Sequence, residues 1–191
     1  AYGNINGVDG ASACGSLGYA TVDVECAQRV VAITDNLVPY PACPIDITQD
    51  DVDFVVAVDS IGDPSGIASG TTRPTTDPVG LQIARAAADV IALSGLLRDG
   101  FSFQTGAGGI SLAVAAAVKE VMLERKIRGS FASGGITAAI VDMLNAGLFR
   151  ALFDVQCFDL FAVDSYRRDE AHLGMSASMY ANPHNRGAVV N

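Results

Sequence analysis

The chain has 191 residues, of which 50% are hydrophobic and 17% charged, and its formal net charge is −9. This composition predicts a folded chain with a sizeable core, and the acidic charge gives no electrostatic support for nucleic-acid binding. The sequence contains no apolar run of the roughly 20 residues that a membrane span needs. Its first residues lack the basic and apolar regions of a signal peptide, so we expect a cytoplasmic protein.

The cysteines and histidines indicate neither disulfides nor a metal centre. The four cysteines are scattered and form no CxxC pair, which is typical of reduced, buried thiols in a cytosolic protein. Neither of the two histidines, His172 and His184, has a cysteine at the spacing of metal ligands. We therefore expect no metal site.

The first third of the chain carries two strand patterns. Residues 1–20 are rich in small polar residues and predict loop and turn. The β-branched runs at residues 29–34 and 52–58 predict strands, and the three prolines at 39, 41 and 44 favour an extended crossing between them. Residues 62–78 are rich in Gly, Ser, Thr and Pro and predict a linker between two domains.

A helix, a strand and a glycine-rich turn follow. Asp77 and Pro78 form a typical helix start, and the apolar stripe behind them continues toward Gly95. Residues 101–104 predict a buried strand, residues 105–109 a glycine-rich turn, and Ile110 the start of another helix.

The remaining chain continues the alternation of strands and helices. Residues 127–132 predict a strand that stops at residues 133–135. Residues 137–146 predict a helix closed by Gly147, and residues 148–155 predict the next strand. Residues 165–174 predict a solvated helix or loop. Such alternation is typical of an α/β fold with a mainly parallel sheet, whose ligands gather at the carboxyl ends of the strands. We therefore expect residues 104–109, 133–137 and 156–159 to lie together.

Several blocks of the sequence resemble a known family. GSLGYATVDVECAQRVVAITDNLVPYP, FSFQTGAGGISLAVA, FASGGITAAIVDMLNAGLFRALFDVQCFD and SMYANP are similar to citrate lyase alpha chains, and the likeness extends over essentially all 191 residues. The block SGGITAAIVDMLNAGLF is more distantly similar to acyl-CoA transferases and hydrolases. The resemblance implies an acyl-CoA transferase-like fold of two α/β domains, each an open, mainly parallel sheet with flanking helices. Residues 1–72 would then be the C-terminal part of the first domain plus the linker. Residues 73–191 would be the N-terminal part of the second domain.

The resemblance also implies thioester exchange. Citrate replaces the acetyl group on the thiol of an acyl carrier (gamma) chain, acetate is released, and a beta chain cleaves the citryl group. The thioester partner would be CoA or the phosphoribosyl-dephospho-CoA group of the carrier, with no cofactor bound covalently to this chain, and an oligomer is expected. Relatives that act on acyl-CoA use a glutamate in an S-E-N-G-like loop, whereas the citrate lyase branch has S-N-G and is expected to proceed through a mixed anhydride. Neither loop occurs in this sequence, so the reaction-centre loops are expected beyond Asn191 and the isolated piece is expected to be inactive.

The glycine turn allows three interpretations. The N–H groups of Gly106, Gly108 and Gly109 would face a thioester carbonyl or a carboxylate, or the glycines would only allow a tight turn. A pyrophosphate site is the weakest interpretation, because the dinucleotide fingerprint is incomplete. The amide of Gln104 would bind a citrate carboxylate or cap the turn.

Two further groups of residues are candidates for substrate contact. Ser133, Gly134 and Gly135 would form, with Thr137, a second anion-binding nest, or Ser133 or Thr137 would simply cap the next helix. Asn182 would be a polar contact to the substrate.

Two functions of other classes remain as alternatives at this stage. One is a docking module of the lyase complex, and the other is a sugar-phosphate isomerase or deaminase on a related sheet. The second would need a basic phosphate clamp near the glycines, and residues 101–118 contain neither Lys nor Arg.

Overall fold

The computed structural model describes residues 3–67 and 72–181 and contains two parallel β-sheets. The first sheet pairs β1 (Val31–Thr34) with β2 (Phe54–Ala57) and follows helix α1 (Gly18–Cys26). Both strands agree with the β-branched runs of the sequence. Helix α1 was missed because its residues form no apolar stripe at helical spacing.

The second sheet has four parallel strands in chain order and carries the predicted alternation with helices. Its helices lie before, between and after the strands. The elements in chain order are α2 (Pro78–Leu93), β3 (Ser102–Gln104), α3 (Gly109–Arg125), β4 (Phe131–Ile136), α4 (Ala138–Asn145), β5 (Ala151–Cys157), α5 (Leu160–Arg168), β6 (His172–Gly174) and α6 (Ala177–Tyr180). The predicted α/β class with parallel sheets is confirmed.

Two helix boundaries follow the local signals of the sequence. Helix α2 begins after Asp77, whose carboxylate accepts a 2.7 Å hydrogen bond from the Gly80 amide, and Pro78 fills the first helical position. Helix α4 is followed by Gly147 at φ +72°, and the Gly147 amide donates to the carbonyl of Leu144 at 2.8 Å. A left-handed glycine at this position is a frequent helix end.

Three strand predictions need correction. The prediction that Ser133, Gly134 and Gly135 stop a strand is wrong, because β4 runs through all three and pairs with β5 on both sides of an irregularity between Gly134 and Gly135. Gly134 adopts φ +110°, so the chain makes a local bulge there without leaving the sheet. Strand β5 begins at Ala151 rather than at residue 148. Strand β6 was missed, and its first residue, His172, is 3% exposed.

The main core lies between the second sheet and its helices. Val118 and Met122 of α3 and Leu152 of β5 are fully buried, and the Phe149 ring packs 5.7 Å from the ring of Phe101. This core fixes the strands relative to the helices, so the ends of the strands form a defined edge. Within residues 3–67 and 72–181, no helix has the length and apolar character needed to cross a membrane.

Candidate functional site

The ends of the strands in the second sheet meet as the alternation predicts. Gln104 at the end of β3 pairs with Ser133 of β4, and Ile136 of β4 pairs with Cys157 of β5. Residues 104–109, 133–137 and 156–159 therefore share one edge of the sheet, which we call the carboxyl edge. In parallel sheets this is the edge where ligands usually bind.

The glycine loop, residues 105–109, brings an uncapped helix end to the carboxyl edge. Gly108 occupies the N-cap position of α3 and makes no side-chain capping hydrogen bond. Gly106 and Gly108 are exposed, and a methyl group built on Gly108 would meet no atom within 4 Å. The hydroxyl of Thr105 holds the loop closed by donating to the Ser111 carbonyl at 3.1 Å. The first amides of α3 and its positive dipole end are therefore open to an anion or a carbonyl oxygen.

Gly109 differs from the other two glycines because another segment lies against it. The Thr75 amide donates to the Gly109 carbonyl at 2.9 Å, and a methyl group built on Gly109 would lie 3.0 Å from the Arg73 carbonyl oxygen. Close backbone packing accounts for glycine at this position. The same contact places the exposed residue Arg73 next to the glycine loop. The backbone of Arg73 makes this contact, and no signal in residues 101–118 could have revealed it, because Arg73 belongs to a segment that is distant in sequence.

The side chains of Gln104 and Tyr180 lie on either side of Gly134, one of the glycines of the second predicted nest. A methyl group built on Gly134 would lie 3.4 Å from Cγ of Gln104 and 3.4 Å from the hydroxyl oxygen of Tyr180. Gly134 is buried at φ +110°, a conformation that requires glycine. An amide and a hydroxyl thus lie side by side at the end of β3 and β4. Tyr180 was missed because α6 begins only after β6, far from the glycine motifs in sequence.

The N-terminus of α4 is already occupied by a carboxylate of the chain itself. Asp159 accepts one hydrogen bond from the Ala138 amide at 2.7 Å, and its second oxygen accepts one from the Ala162 amide at 2.8 Å. Asp159 therefore caps α4 and α5 together. Thr137 occupies the N-cap position of α4 without a capping hydrogen bond, so the predicted cap by the Ser133 or Thr137 side chain is not formed.

The remaining residues of the second predicted nest are enclosed by protein. Ser133 is 5% exposed, and a methyl group built on Gly135 would overlap the ring of Phe158, with Cζ only 2.9 Å away. Close packing of that ring accounts for the glycine at position 135. Among the described residues, Asp159 caps the N-termini of α4 and α5 at the carboxyl edge, whereas that of α3 is open.

Comparison with known proteins decides the family. The family model of citrate lyase, alpha subunit (CitF), matches residues 1–191. The chain is also 51% identical over 190 residues to the citrate lyase alpha chain of Escherichia coli (strain K12), and the match covers 100% of this chain and 37% of the relative. The chain belongs to the citrate lyase alpha subunit family. It spans 37% of the length of this relative, so it corresponds to a part of a citrate lyase alpha subunit.

Solved structures agree with this assignment. A citrate lyase alpha subunit from Streptococcus mutans, solved in complex with citrate, superposes with a TM-score of 0.90 at 51% identity over 98% of this chain and 37% of that chain. A 4-hydroxybutyrate CoA-transferase from Porphyromonas gingivalis superposes with a TM-score of 0.56 at 18% identity and covers 88% of this chain and 41% of that chain. The second likeness shows that this chain shares its fold with part of that CoA-transferase.

One predicted contact of the citrate lyase alpha subunit lies outside the described residues. Asn182 and His184 follow Ala181, the last residue before the chain's undescribed end. The proposed substrate contact by Asn182 therefore stays a prediction. The division of the chain at residues 72 and 73 into parts of two domains also stays a prediction.

The shared cap formed by Asp159 should have a measurable effect on stability. We expect Asp159→Ala to lower the free energy of unfolding by about 2 kcal/mol, because two helices each lose a cap that typically contributes ~1 kcal/mol. Urea denaturation followed by circular dichroism would measure the change. Asp77→Ala, which removes the cap of α2 alone, is the matched control and should cost about half as much. Equal losses in the two variants would contradict the shared cap.

Proposed function

We propose that this chain belongs to a citrate lyase alpha subunit that transfers citrate onto the thioester of an acyl carrier or of CoA, with release of acetate. The observation that carries this proposal is the open N-terminus of α3 at Gly106 and Gly108, flanked at the carboxyl edge by Gln104. Family membership supports the reaction class, and the geometry supplies donors at an edge where a carboxylate and a thioester carbonyl could be held.

The proposed reaction proceeds in two acyl transfers. A citrate carboxylate attacks the acetyl thioester carbonyl, the C–S bond breaks, and the thiolate leaves with its electron pair. The resulting mixed anhydride is then attacked at its citryl carbonyl by the same thiolate, the C–O bond to acetate breaks, and acetate leaves. Each attack places negative charge on a carbonyl oxygen. A preorganised N–H donor at that oxygen contributes about 3–4 kcal/mol to transition-state stabilisation.

The residues at the carboxyl edge have separate roles in this proposal. The amides of Gly106 and Gly108 face the carbonyl oxygen that becomes charged, because both residues are exposed. A methyl group built on Gly108 would meet no atom within 4 Å, and the nearest side chain to Gly106 is that of Ser111. The Gln104 amide and the Tyr180 hydroxyl donate to a citrate carboxylate. Arg73 supplies positive charge near the glycine loop, which favours a tricarboxylate in a chain with a net charge of −9.

The wider setting of the reaction follows the family. The thioester partner is CoA or the phosphoribosyl-dephospho-CoA group of the acyl carrier (gamma) chain, and a beta chain cleaves the citryl product in the cytoplasm. The reaction-centre loops lie in the part of the full-length subunit beyond Asn191, so this chain alone is not expected to turn over.

An exchange assay with the full-length alpha subunit that carries this segment tests the proposal. Labelled citrate should be incorporated into the thioester pool of acetyl-CoA or acetyl carrier, with stoichiometric release of acetate. Gln104→Leu should raise KM for citrate about tenfold, because a donor to a carboxylate contributes about 1.5 kcal/mol. The control Gln82→Leu replaces an exposed glutamine of α2 and should leave KM unchanged.

The two possible failures have different meanings. Absence of citrate exchange by the full-length subunit would overturn the proposed function. If exchange is intact and KM for citrate is unchanged in Gln104→Leu, Gln104 does not bind the citrate carboxylate.

A further inference from the structure

Three side chains of different chemistry meet in the core of the second sheet, away from the glycine loop. Asp154 and Cys157 lie on β5, and His172 lies on β6. They are 0%, 2% and 3% exposed. Oδ2 of Asp154 lies 2.9 Å from Sγ of Cys157 and 3.1 Å from Nε2 of His172. The potential ligand atoms of the three side chains, one from each, all lie within 4.8 Å of one another.

Neighbouring residues hold these three side chains in place. Nδ1 of His172 lies 3.0 Å from the Ser165 hydroxyl oxygen, which orients the imidazole ring with Nε2 toward Asp154. The Ser16 hydroxyl donates to the Asp154 carbonyl at 2.6 Å. A methyl group built on Gly15 would lie 3.0 Å from Cβ of Cys157, so the segment around Gly15 closes the cluster from outside. Outer partners of this kind are typical of metal-binding histidines.

The charges around the cluster favour a cation. The fully buried Asp154 carboxylate lies against both the Cys157 thiol and the His172 imidazole. One carboxylate oxygen of Asp46 is also buried and has no hydrogen-bond partner among the described residues. The Asp46 carboxylate reaches the cluster through Tyr166, whose hydroxyl lies 3.3 Å from Oδ1 and whose ring packs edge-on against His172. Arginine and lysine side chains are absent from these contacts.

We propose that Asp154, Cys157 and His172 bind one divalent transition-metal ion of the zinc type. Thiolate, imidazole and carboxylate are the ligands that Zn²⁺ takes in proteins, and three protein ligands leave one tetrahedral position for water. Binding releases one proton from the Cys157 thiol, and the thiolate, the carboxylate and the neutral imidazole then balance the two charges of the ion. A neutral site avoids the cost of a buried net charge.

The two distances from Asp154 to the other ligands need only a small adjustment to accept the ion. Ligand atoms around tetrahedral zinc stand about 3.5 Å apart, given metal–ligand distances of about 2.0–2.3 Å. The 2.9 and 3.1 Å separations found here are those of hydrogen bonds, so the ligand atoms would move apart by about half an ångström. Such an ion would link β5 to β6.

Metal analysis of the full-length alpha subunit tests this inference independently of transferase activity. After dialysis against chelator, the wild-type subunit should take up one equivalent of Co²⁺ and show a thiolate-to-cobalt charge-transfer band. Cys157→Ser should lose this band, whereas Cys43→Ser, which changes an exposed cysteine, should keep it. Zn²⁺ should raise the melting temperature of the wild type by several degrees and that of His172→Gln by less.

A single result on the wild type is enough to overturn the proposal. If the dialysed wild-type subunit takes up no Co²⁺ or Zn²⁺ and its melting temperature does not respond to either ion, the three residues form only a hydrogen-bonded core cluster. A charge-transfer band that survives in Cys157→Ser would also overturn it, because the thiolate ligand would then lie elsewhere.

Discussion

Replacement of Gly108 by alanine is expected to lower kcat/KM for citrate transfer by about 100-fold in the full-length alpha subunit, with little loss of stability. Gly108 has φ −72° and ψ 156°, which alanine adopts without strain, and the added methyl group would meet no atom of the protein within 4 Å. The methyl group would instead project into the space that the substrate carbonyl must approach. Alanine keeps the amide N–H, so the expected loss arises because the methyl group holds the carbonyl oxygen away from that donor. Losing the contribution of one oxyanion donor typically lowers the rate by about 10²–10³-fold.

The matched control for this prediction is Gly66→Ala. Gly66 is also exposed, and a methyl group built on it likewise meets nothing within 4 Å, but it lies in the segment Pro64–Ile67, outside the glycine loop. Urea denaturation should show that Gly108→Ala costs no more than about 1 kcal/mol, since alanine is only a poorer N-cap than glycine. Full activity in Gly108→Ala would show that the substrate does not approach this amide.

The second large effect concerns stability, and it should appear at Gly135. We expect Gly135→Ala to lower the free energy of unfolding by about 3 kcal/mol, because the new methyl group would overlap the ring of Phe158 and force the strand or the ring to move. Overpacking in a closely packed region typically costs about 1–3 kcal/mol. Urea denaturation measures this cost directly, and Gly66→Ala again provides the comparison without a clash.

A double-mutant cycle identifies the ring as the cause. Phe158→Leu alone loses ring packing, but in combination with Gly135→Ala it makes room for the methyl group. The loss of unfolding free energy in the double variant should therefore be smaller than the sum of the losses in the two single variants, by about 1 kcal/mol or more. Additive losses would show that Gly135 is constrained by something other than Phe158.

Local signals in the sequence predicted those parts of the fold that local physics determines. Asp77 with Pro78 set the start of α2, and Gly147 set the end of α4, because caps depend on residues within one turn. The bulge at Gly134 could not be predicted, since glycine weakens an isolated strand and only pairing with β5 on both sides keeps it in the sheet. Strand β6 has three residues, too few for any periodicity to show.

The sequence could propose a site only on one continuous stretch. The glycine loop and Gln104 are such a stretch; Gly106 and Gly108 are exposed in the structure, and their substrate contacts stay a prediction. The backbone of Arg73 and the side chain of Tyr180 lie near this edge but belong to segments that are remote in sequence, and no spacing rule connects them to the loop. The family resemblance supplied the reaction class, which composition and periodicity could not supply.

The double cap formed by Asp159 has a consequence for how anions are recognised. Three positively polarised helix ends, those of α3, α4 and α5, lie along one edge, and the Asp159 carboxylate of the chain itself caps the ends of α4 and α5. An incoming polyanion therefore encounters an asymmetric field with a single attractive pole at α3. A bound molecule with several equivalent carboxylates would therefore orient with one carboxylate toward the N-terminus of α3. The fold would in this way distinguish groups that are chemically identical.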